Sequence, residues 1–129
     1  MIVADTSVWI AFFNGAGSAQ AAQLQDALQN GRVLLADLIL AEVLQGFRSD
    51  IDYRRARKLF DPLPCSDIGG RRNVIASSEN YRLLRASGVT PRGTIDVLIA
   101  TFCIENGHTL LHADKDFDAM VKPLGLEVL

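Results

Sequence analysis

Short apolar runs alternate along the chain with longer segments that show helical periodicity. The runs at residues 2–4, 33–35, 109–111 and 126–129 are continuous rather than alternating, and a weaker run lies near residues 63–66. Strands that helices cover on both faces show this pattern, because neither face of the sheet contacts water. The pattern therefore predicts four to five buried strands.

Helices are predicted in five segments between these runs. The segments are, in chain order, residues 18–30, 37–47, 51–60, 70–87 and 95–106. Ser18, Asp37 and Thr94 stand where their side chains can cap a helix N-terminus, and Gly107 terminates the last helix. Strands that alternate with helices predict an α/β fold, in which helices cover both faces of a mostly parallel sheet.

Three of the predicted strands end in the dipeptide Ala-Asp, which places Asp5, Asp37 and Asp114 directly after a strand. Ligands of open α/β sheets bind just beyond the carboxyl ends of the strands, where such side chains converge. Asp37 is assigned to capping the helix that follows it. We therefore expect Asp5 and Asp114 to meet at one edge of the sheet.

Length and composition narrow the classes of protein to which the chain can belong. Its 129 residues suffice for one domain, residues 1–129, and 49% hydrophobic with 22% charged residues is typical of a folded globular protein. The N-terminus lacks the basic lead-in of a signal peptide, and no apolar run approaches a membrane span in length. Cys65 and Cys103 have neither redox-motif nor zinc-finger spacing. These features predict a cytoplasmic protein.

The net charge of −2 conceals an uneven distribution of charged residues. Residues 48–92 contain ten basic and five acidic residues, whereas the remainder contains three basic and ten acidic ones. A basic middle beside acidic ends fits a protein that binds a polyanion on one surface and a metal on another. Solvated charged helices would give the same distribution.

Two further acids are predicted to lie on helices among apolar neighbours. Glu42 is the only acid inside its helix, which carries apolar residues almost all round. Asp96 lies in the first turn of its helix, between Ile95 and Val97. A buried carboxylate without a partner is costly in free energy, so it normally binds a cation or accepts hydrogen bonds. The structural alternatives are a surface position for Glu42 and a helix-dipole contact for Asp96.

Asp5, Glu42, Asp96 and Asp114 come from four separate elements that the fold can bring together. Carboxylates in one cluster repel one another unless protons or a cation neutralise them. A ligand set made only of oxygen suits magnesium or manganese better than zinc. The four acids are therefore a candidate site for a hard divalent cation, and helix capping by Asp5 and Asp114 is the structural alternative.

Four segments of the chain contain the candidate acids, namely residues 2–7 (IVADTS), 40–43 (LAEV), 94–100 (TIDVLIA) and 110–117 (LLHADKDF). Together these segments resemble the PIN domain, and more narrowly the VapC toxins of bacterial toxin–antitoxin pairs. Each is weak alone, whereas all four in this order and spacing are specific, and the resemblance covers essentially the whole chain. It implies that Asp5, Glu42, Asp96 and Asp114 form the acidic quartet of the family, with Asp116 as an accessory acid.

The resemblance also implies an activity and partners. The enzymes of the family are magnesium- or manganese-dependent endoribonucleases, usually homodimers, which a VapB antitoxin holds inactive. Asp5 and Asp96 would then be direct metal ligands, while Glu42 and Asp114 would bind a second ion or orient the attacking water. His112 stands where PIN domains often have Thr or Ser. The candidate contacts to RNA phosphates are Arg71, Arg72 and Arg92. A further candidate is the basic cluster of Arg54, Arg55, Arg57 and Lys58, for which an exposed helix face or a contact to the antitoxin is the alternative.

Two other classes of function fit part of the sequence. A haloacid-dehalogenase-like phosphohydrolase also begins with an Asp after its first strand, but it needs a second Asp two residues later, where this chain has Ser7. An RNA- or protein-binding module without catalysis fits the fold, although the presence of all four acids argues against it. RNA cleavage that EDTA abolishes would identify the nuclease, and phosphate release from small monoesters would identify the phosphohydrolase.

Overall fold

The computed structural model describes residues 1–129 and contains seven helices and four short strands. The elements are β1 (Ile2–Ala4), α1 (Thr6–Phe13), α2 (Ala19–Gln29), β2 (Leu35–Ala36), α3 (Asp37–Gln45), α4 (Asp50–Phe60), β3 (Cys65–Ser66), α5 (Arg71–Ala86), α6 (Thr94–Asn106), β4 (Thr109–Leu111) and α7 (Lys115–Leu124). Each of the five helices that the sequence predicted is present, with both ends within two residues of the prediction.

The strands form a parallel arrangement with β1 at its centre. β1 pairs with β4 in register from Ile2 opposite Thr109, and β2 pairs with β3. The pairs are two separate two-stranded sheets, and an isolated parallel bridge between Ile2 and Val33, two residues before β2, brings them side by side. Every pairing is parallel, so the predicted α/β class is confirmed.

Two of the predicted strands differ from the observed ones. Residues 33–35 were expected to form one strand, but Val33 bridges β1 while Leu35 begins the pairing with β3, so β2 is shorter and displaced. Residues 126–129 form no strand, because only Val128 bridges Leu110 before the chain ends. The weaker fifth run is β3.

Two of the predicted helix caps are also corrected. Gly93 occupies the cap position of α6 and Thr94 is the first helical residue, with no side-chain capping bond. Asp37 is likewise the first residue of α3 and not its cap. Its Oδ1 accepts hydrogen bonds from the backbone N–H groups of Leu38 and Ile68, both at 2.9 Å, so it ties the segment after β3 to α3. Ser18 does cap α2 as predicted.

Packing makes α6 the most buried helix of the molecule. Its residues 97–103 are all buried, because the sheet lies on one side while α5 and α7 cover others. Helices α1, α2 and α3 pack together as a second group. Gly107, at φ 69°, ends α6 in the left-handed conformation that favours glycine and turns the chain into β4.

Cys103 is buried in α6, whereas Cys65 is exposed, and neither forms a disulfide. None of the helices combines the length and the apolar character that crossing a membrane requires.

Candidate active site

Asp5 lies at the carboxyl end of β1, beside the end of β4. Its backbone N–H donates to the carbonyl of Leu111 at 2.9 Å, and the residue is only 8% exposed. Asp5 occupies the cap position of α1, but its carboxylate makes no capping hydrogen bond. The Oδ2 atom instead accepts a hydrogen bond from the Ser7 hydroxyl at 3.2 Å. The capping alternative therefore does not account for this buried acid.

Glu42 is half-buried on α3 and is bound to the start of α1. Its Oε1 accepts a hydrogen bond from the Thr6 hydroxyl at 2.9 Å. Thr6 and Ser7 thus each hold one acid of the predicted quartet, a role that the sequence analysis did not assign to them. The sequence signal was the run Asp-Thr-Ser after a buried strand, which places two hydroxyls beside the first carboxylate.

Asp96, Asp114 and Asp116 bring their side chains together at the same edge of the sheet. One carboxylate oxygen from each lies within 4.8 Å of the other two. Asp114 caps α7, since its Oδ1 accepts from the backbone N–H of Asp116 at 2.9 Å. The capping alternative therefore holds for Asp114, and the same bond brings the accessory Asp116 beside it.

Burial and mutual repulsion raise the pKa values of Asp5 and Asp96 at this edge. The pKa of Asp96 is raised to about 6, first by desolvation and then by the negative charges of Asp5, Asp114, Glu42 and Asp116. Desolvation also raises the pKa of Asp5, against its hydrogen bonds to Thr6 and Ser7, with smaller contributions from Glu42 and Asp114. The acids are thus close enough to destabilise one another's charged forms, which a bound cation would reverse.

The donor set fits a hard divalent cation. All five acids offer only oxygen ligands, and neither His nor Cys belongs to the clustered group. The three clustered acids are Asp96, Asp114 and Asp116, with Asp5 coupled to them through its charge but outside the group of nearest oxygens. Direct ligation by Asp5 stays a prediction.

Arg92 lies at this acidic edge, as its position four residues before Asp96 predicted. Its Nε is 3.3 Å from Oδ2 of Asp116, and its side chain is 78% exposed. Nε is the guanidinium nitrogen that pairs with this carboxylate. An exposed guanidinium held in this way has donors free for a phosphate.

Arg71 and Arg72 form no ion pair with the acids of this edge. They line a cavity of about 360 Å³ together with Phe102, Glu105 and Asn106. Glu105 lies in the last turn of α6, about 13 Å along the helix axis from Asp96 at 1.5 Å per residue. The basic side chains of the cluster on α4 are exposed, around the buried Ala56, and Arg57 pairs with Asp61 at 3.7 Å.

Comparisons with known proteins agree with this geometry. The model of the PIN domain family matches residues 2–123. VapC ribonuclease Mb1587 of Mycobacterium bovis and ribonuclease VapC11 of Mycobacterium tuberculosis are each 30% identical over 129 residues, covering 98% of this chain and 96% of the relative.

Solved structures show the same fold. VapBC2 from Rickettsia felis bound to a promoter DNA fragment has a TM-score of 0.77 at 18% identity, over 100% of this chain and 98% of that one. DNA-bound VapBC from Salmonella typhimurium has a TM-score of 0.78 at 17% identity, over 99% and 96%. With the acids at the carboxyl ends of β1 and β4 and the match along nearly its whole length, the chain belongs to the PIN domain family and, within it, to the VapC ribonucleases.

Proposed function

We propose that this chain is the toxin of a toxin–antitoxin pair, an endoribonuclease that hydrolyses RNA phosphodiester bonds at the acidic edge. The observation that carries the proposal is the convergence of five acids from four parts of the chain, with raised pKa values for Asp5 and Asp96, in a chain 30% identical to VapC ribonucleases. Such a cluster raises the free energy of the folded chain when no ligand is bound, and a ligand that neutralises the acids removes this cost.

The ligand that we propose is Mg²⁺ or Mn²⁺. Asp96, Asp114 and Asp116 would hold it from one side, and the buried Asp5 would ligate it from the end of β1. When bound, the divalent cation activates water and neutralises charge that develops on the scissile phosphate. Mg²⁺ prefers carboxylates together with waters and phosphate oxygens, which a partly open edge of this kind admits.

The remaining groups of the chain position the reactants. Glu42, fixed by the Thr6 hydroxyl, would accept a hydrogen bond from the attacking water and orient it toward the phosphorus. Ser7 keeps the Asp5 carboxylate in place by donating to its Oδ2. Arg92 would bind a non-bridging phosphate oxygen through its terminal nitrogens while Nε stays near Asp116. None of these roles requires a covalent intermediate.

Arg71 and Arg72 would contact RNA at a distance from the cleaved bond. Neither forms an ion pair, although Glu105 and Asp67 line the same cavity. None of the five acids lines the cavity of Arg71 and Arg72, whereas Arg92 pairs with Asp116. We therefore propose Arg92 as the phosphate contact at the site of cleavage and the other two as contacts to flanking nucleotides.

A VapB-type antitoxin is the proposed partner, and a homodimer is the proposed form of the toxin. The neighbouring structures are VapBC assemblies, which supports a partner of that class. Several apolar side chains are exposed on the helices and are candidate contacts to these partners, namely Ile10 on α1, Ile51 and Tyr53 on α4, and Val74, Ile75 and Leu83 on α5. A strictly monomeric toxin at micromolar concentration in light scattering would contradict the dimer.

The direct test is cleavage of a mixed RNA pool by the purified chain. We expect cleavage with Mg²⁺ or Mn²⁺, loss of cleavage in EDTA, and recovery when the cation is returned. RNA binding without cleavage under every divalent cation would identify the catalytically idle binding module instead. Sequencing of the RNA ends would then define the target.

A further inference from the structure

His112 is a buried side chain that the proposed chemistry does not use. It lies directly after β4, with its side chain only 8% exposed and its ring centroid 5.2 Å from that of Phe117. Its Nδ1 lies 3.1 Å from the backbone nitrogen of Asp114, and its Nε2 lies 3.4 Å from Oδ1 of Asp118. Both ring nitrogens therefore face groups of this chain rather than the open edge.

The first of these contacts fixes which nitrogen carries the proton. The backbone N–H of Asp114 is a donor, so Nδ1 must be the unprotonated, accepting nitrogen of a neutral imidazole. The hydrogen then resides on Nε2, which faces the carboxylate of Asp118. The packing of the ring against Phe117 holds it in this orientation.

The hydrogen bond to Asp114 continues into the acid cluster. His112 fixes the Asp114 peptide through Nδ1, and Oδ1 of Asp114 in turn accepts from the backbone N–H of Asp116. Asp114 and Asp116 are two of the three acids whose oxygens cluster. Without the imidazole acceptor, the half-buried N–H of Asp114 would lose its partner, and the peptide that orients both carboxylates would be free to rotate.

We propose that His112 is a positioning residue, whose Nδ1 fixes the Asp114 peptide and thereby sets the separation of the Asp96, Asp114 and Asp116 oxygens for a divalent cation. The inference rests on the proposed metal site. It adds that Nδ1 of His112 arranges the ligands of this site without binding the cation or contacting the RNA. Groups that orient metal ligands in this way typically contribute about 10- to 100-fold to metal affinity.

The test uses the full chain, stripped of metal and titrated with Mn²⁺ by calorimetry. His112→Leu keeps an apolar side chain but removes the acceptor, and we expect its dissociation constant for Mn²⁺ to rise by about 10-fold or more. His112→Asn restores an acceptor for the N–H two residues later, as in an Asx turn, and we expect it to recover most of the affinity. Asp118→Asn is the matched control, because it changes only the Nε2 side, and it should bind Mn²⁺ like the wild type.

A purely structural role would give a different result. Misfolding lowers the number of binding sites and the melting temperature, whereas the dissociation constant of the folded fraction stays the same. An unchanged dissociation constant in His112→Leu, beside a wild type that binds Mn²⁺, would overturn the positioning role and leave the metal site intact. A wild type that binds no Mn²⁺ would instead overturn the proposed site, and the positioning role with it.

A second measurement does not depend on any variant folding. Long-range ¹H–¹⁵N correlation spectra of the metal-free wild type distinguish the protonated from the unprotonated ring nitrogen. We expect His112 to be neutral with Nδ1 unprotonated. A proton on Nδ1 would be incompatible with acceptance from the Asp114 N–H and would overturn the inference.

Discussion

Each end of α6 carries one acidic residue, and the surroundings of the two residues differ. Asp96, in the first turn, meets acids from β1, α3 and the start of α7, and its pKa is raised to about 6 by desolvation and by those acids. At the last turn, Glu105 and Asn106 line a cavity with Arg71 and Arg72, which are exposed. One end is a desolvated cluster of like charges, and the other is a solvated group of mixed charges.

The difference shows which charges point to a ligand. Like charges removed from water raise the free energy of the folded chain, so they are informative about function. Exposed arginines cost almost nothing in free energy, and they are compatible with RNA, a protein partner or solvent alone. The acidic end therefore indicates a site for a cation, whereas the exposed charges at the cavity end do not indicate one particular ligand.

The largest expected effect is on catalysis. Asp96→Asn keeps the shape of the side chain but removes a ligand charge, so RNA cleavage with Mg²⁺ should fall by at least about 100-fold, the upper range for losing even an indirect metal contact. Asp5→Asn should behave in the same way. Glu105→Gln makes the same chemical change at the other end of α6 and should cleave like the wild type. Initial rates of RNA cleavage, measured on gels, compare the three variants with the wild type. A wild-type rate for Asp96→Asn would mean that the acidic end of α6 is no more important for cleavage than the other end.

The second effect is on thermal stability. A cation at 100 times its dissociation constant stabilises the folded state by about 2.7 kcal/mol, which corresponds to roughly 10 °C in Tm for a chain of this size. We expect this rise for the wild type and Glu105→Gln, and little or none for Asp96→Asn. Thermal unfolding with and without Mn²⁺ provides the comparison, and an equal rise in Asp96→Asn would place the cation elsewhere.

The third effect is a pH dependence that belongs to the acidic end alone. A carboxyl with a pKa of about 6 must lose its proton before it binds a cation, so Mn²⁺ affinity should be about tenfold weaker at pH 5 than at pH 7. Calorimetric titrations at the two pH values measure this ratio. A ratio near one would mean that Asp96 is not a ligand.

Without metal, the same group should make stability fall as pH rises. The folded-state pKa of Asp96 lies above its ordinary value of 3.8, so its contribution is fully present below about pH 3.8 and is lost as pH rises through about 6. The metal-free wild type should therefore lose melting temperature across this interval, with Asp5 contributing in the same direction. Asp96→Asn should flatten the profile, and a profile as steep as that of the wild type would contradict the assignment.

The smallest effect concerns RNA binding, and it compares arginines at the two ends. The measurements use an Asp5→Asn background, in which the RNA is not cleaved. Arg92→Ala should weaken RNA binding similarly for all RNA sequences, and it should reduce the slope of the logarithm of affinity against the logarithm of salt concentration by about 0.7. Its Mn²⁺ affinity should be no lower than that of Asp5→Asn alone, since Arg92 supplies no ligand. Fluorescence anisotropy at several salt concentrations measures the slope.

A double variant, Arg71→Ala with Arg72→Ala, is the matched comparison. It should weaken a longer RNA but not a dinucleotide, because none of the five acids lines the cavity of these two arginines. If the salt dependence of RNA affinity is unchanged in Arg92→Ala but reduced in the double variant, then Arg71 and Arg72, and not Arg92, contact the phosphates.

Much of the fold and of the candidate site could be predicted from local pattern. Continuous apolar runs placed β1 and β4, and the Ala-Asp ends of those runs placed Asp5 and Asp114 at one edge. Helix ends were less certain, since Gly93 took the cap position expected for Thr94. Glycine and threonine both tolerate the extended backbone of a cap, so the pattern alone does not separate them.

By itself, the sequence determined the types of the elements, their order along the chain, and which acids lie among apolar neighbours. These follow from periodicity and from the cost of a buried carboxylate, which are properties of short segments. Only the tertiary structure decided how near the Asp116 carboxylate lies to those of Asp96 and Asp114. It also decided that Thr6 holds Glu42, that His112 accepts from the Asp114 peptide, and that Arg71 and Arg72 line a cavity to which Arg92 does not belong. Contacts of this kind depend on rotamers and on packing between distant segments, and no local pattern encodes a distance across the chain.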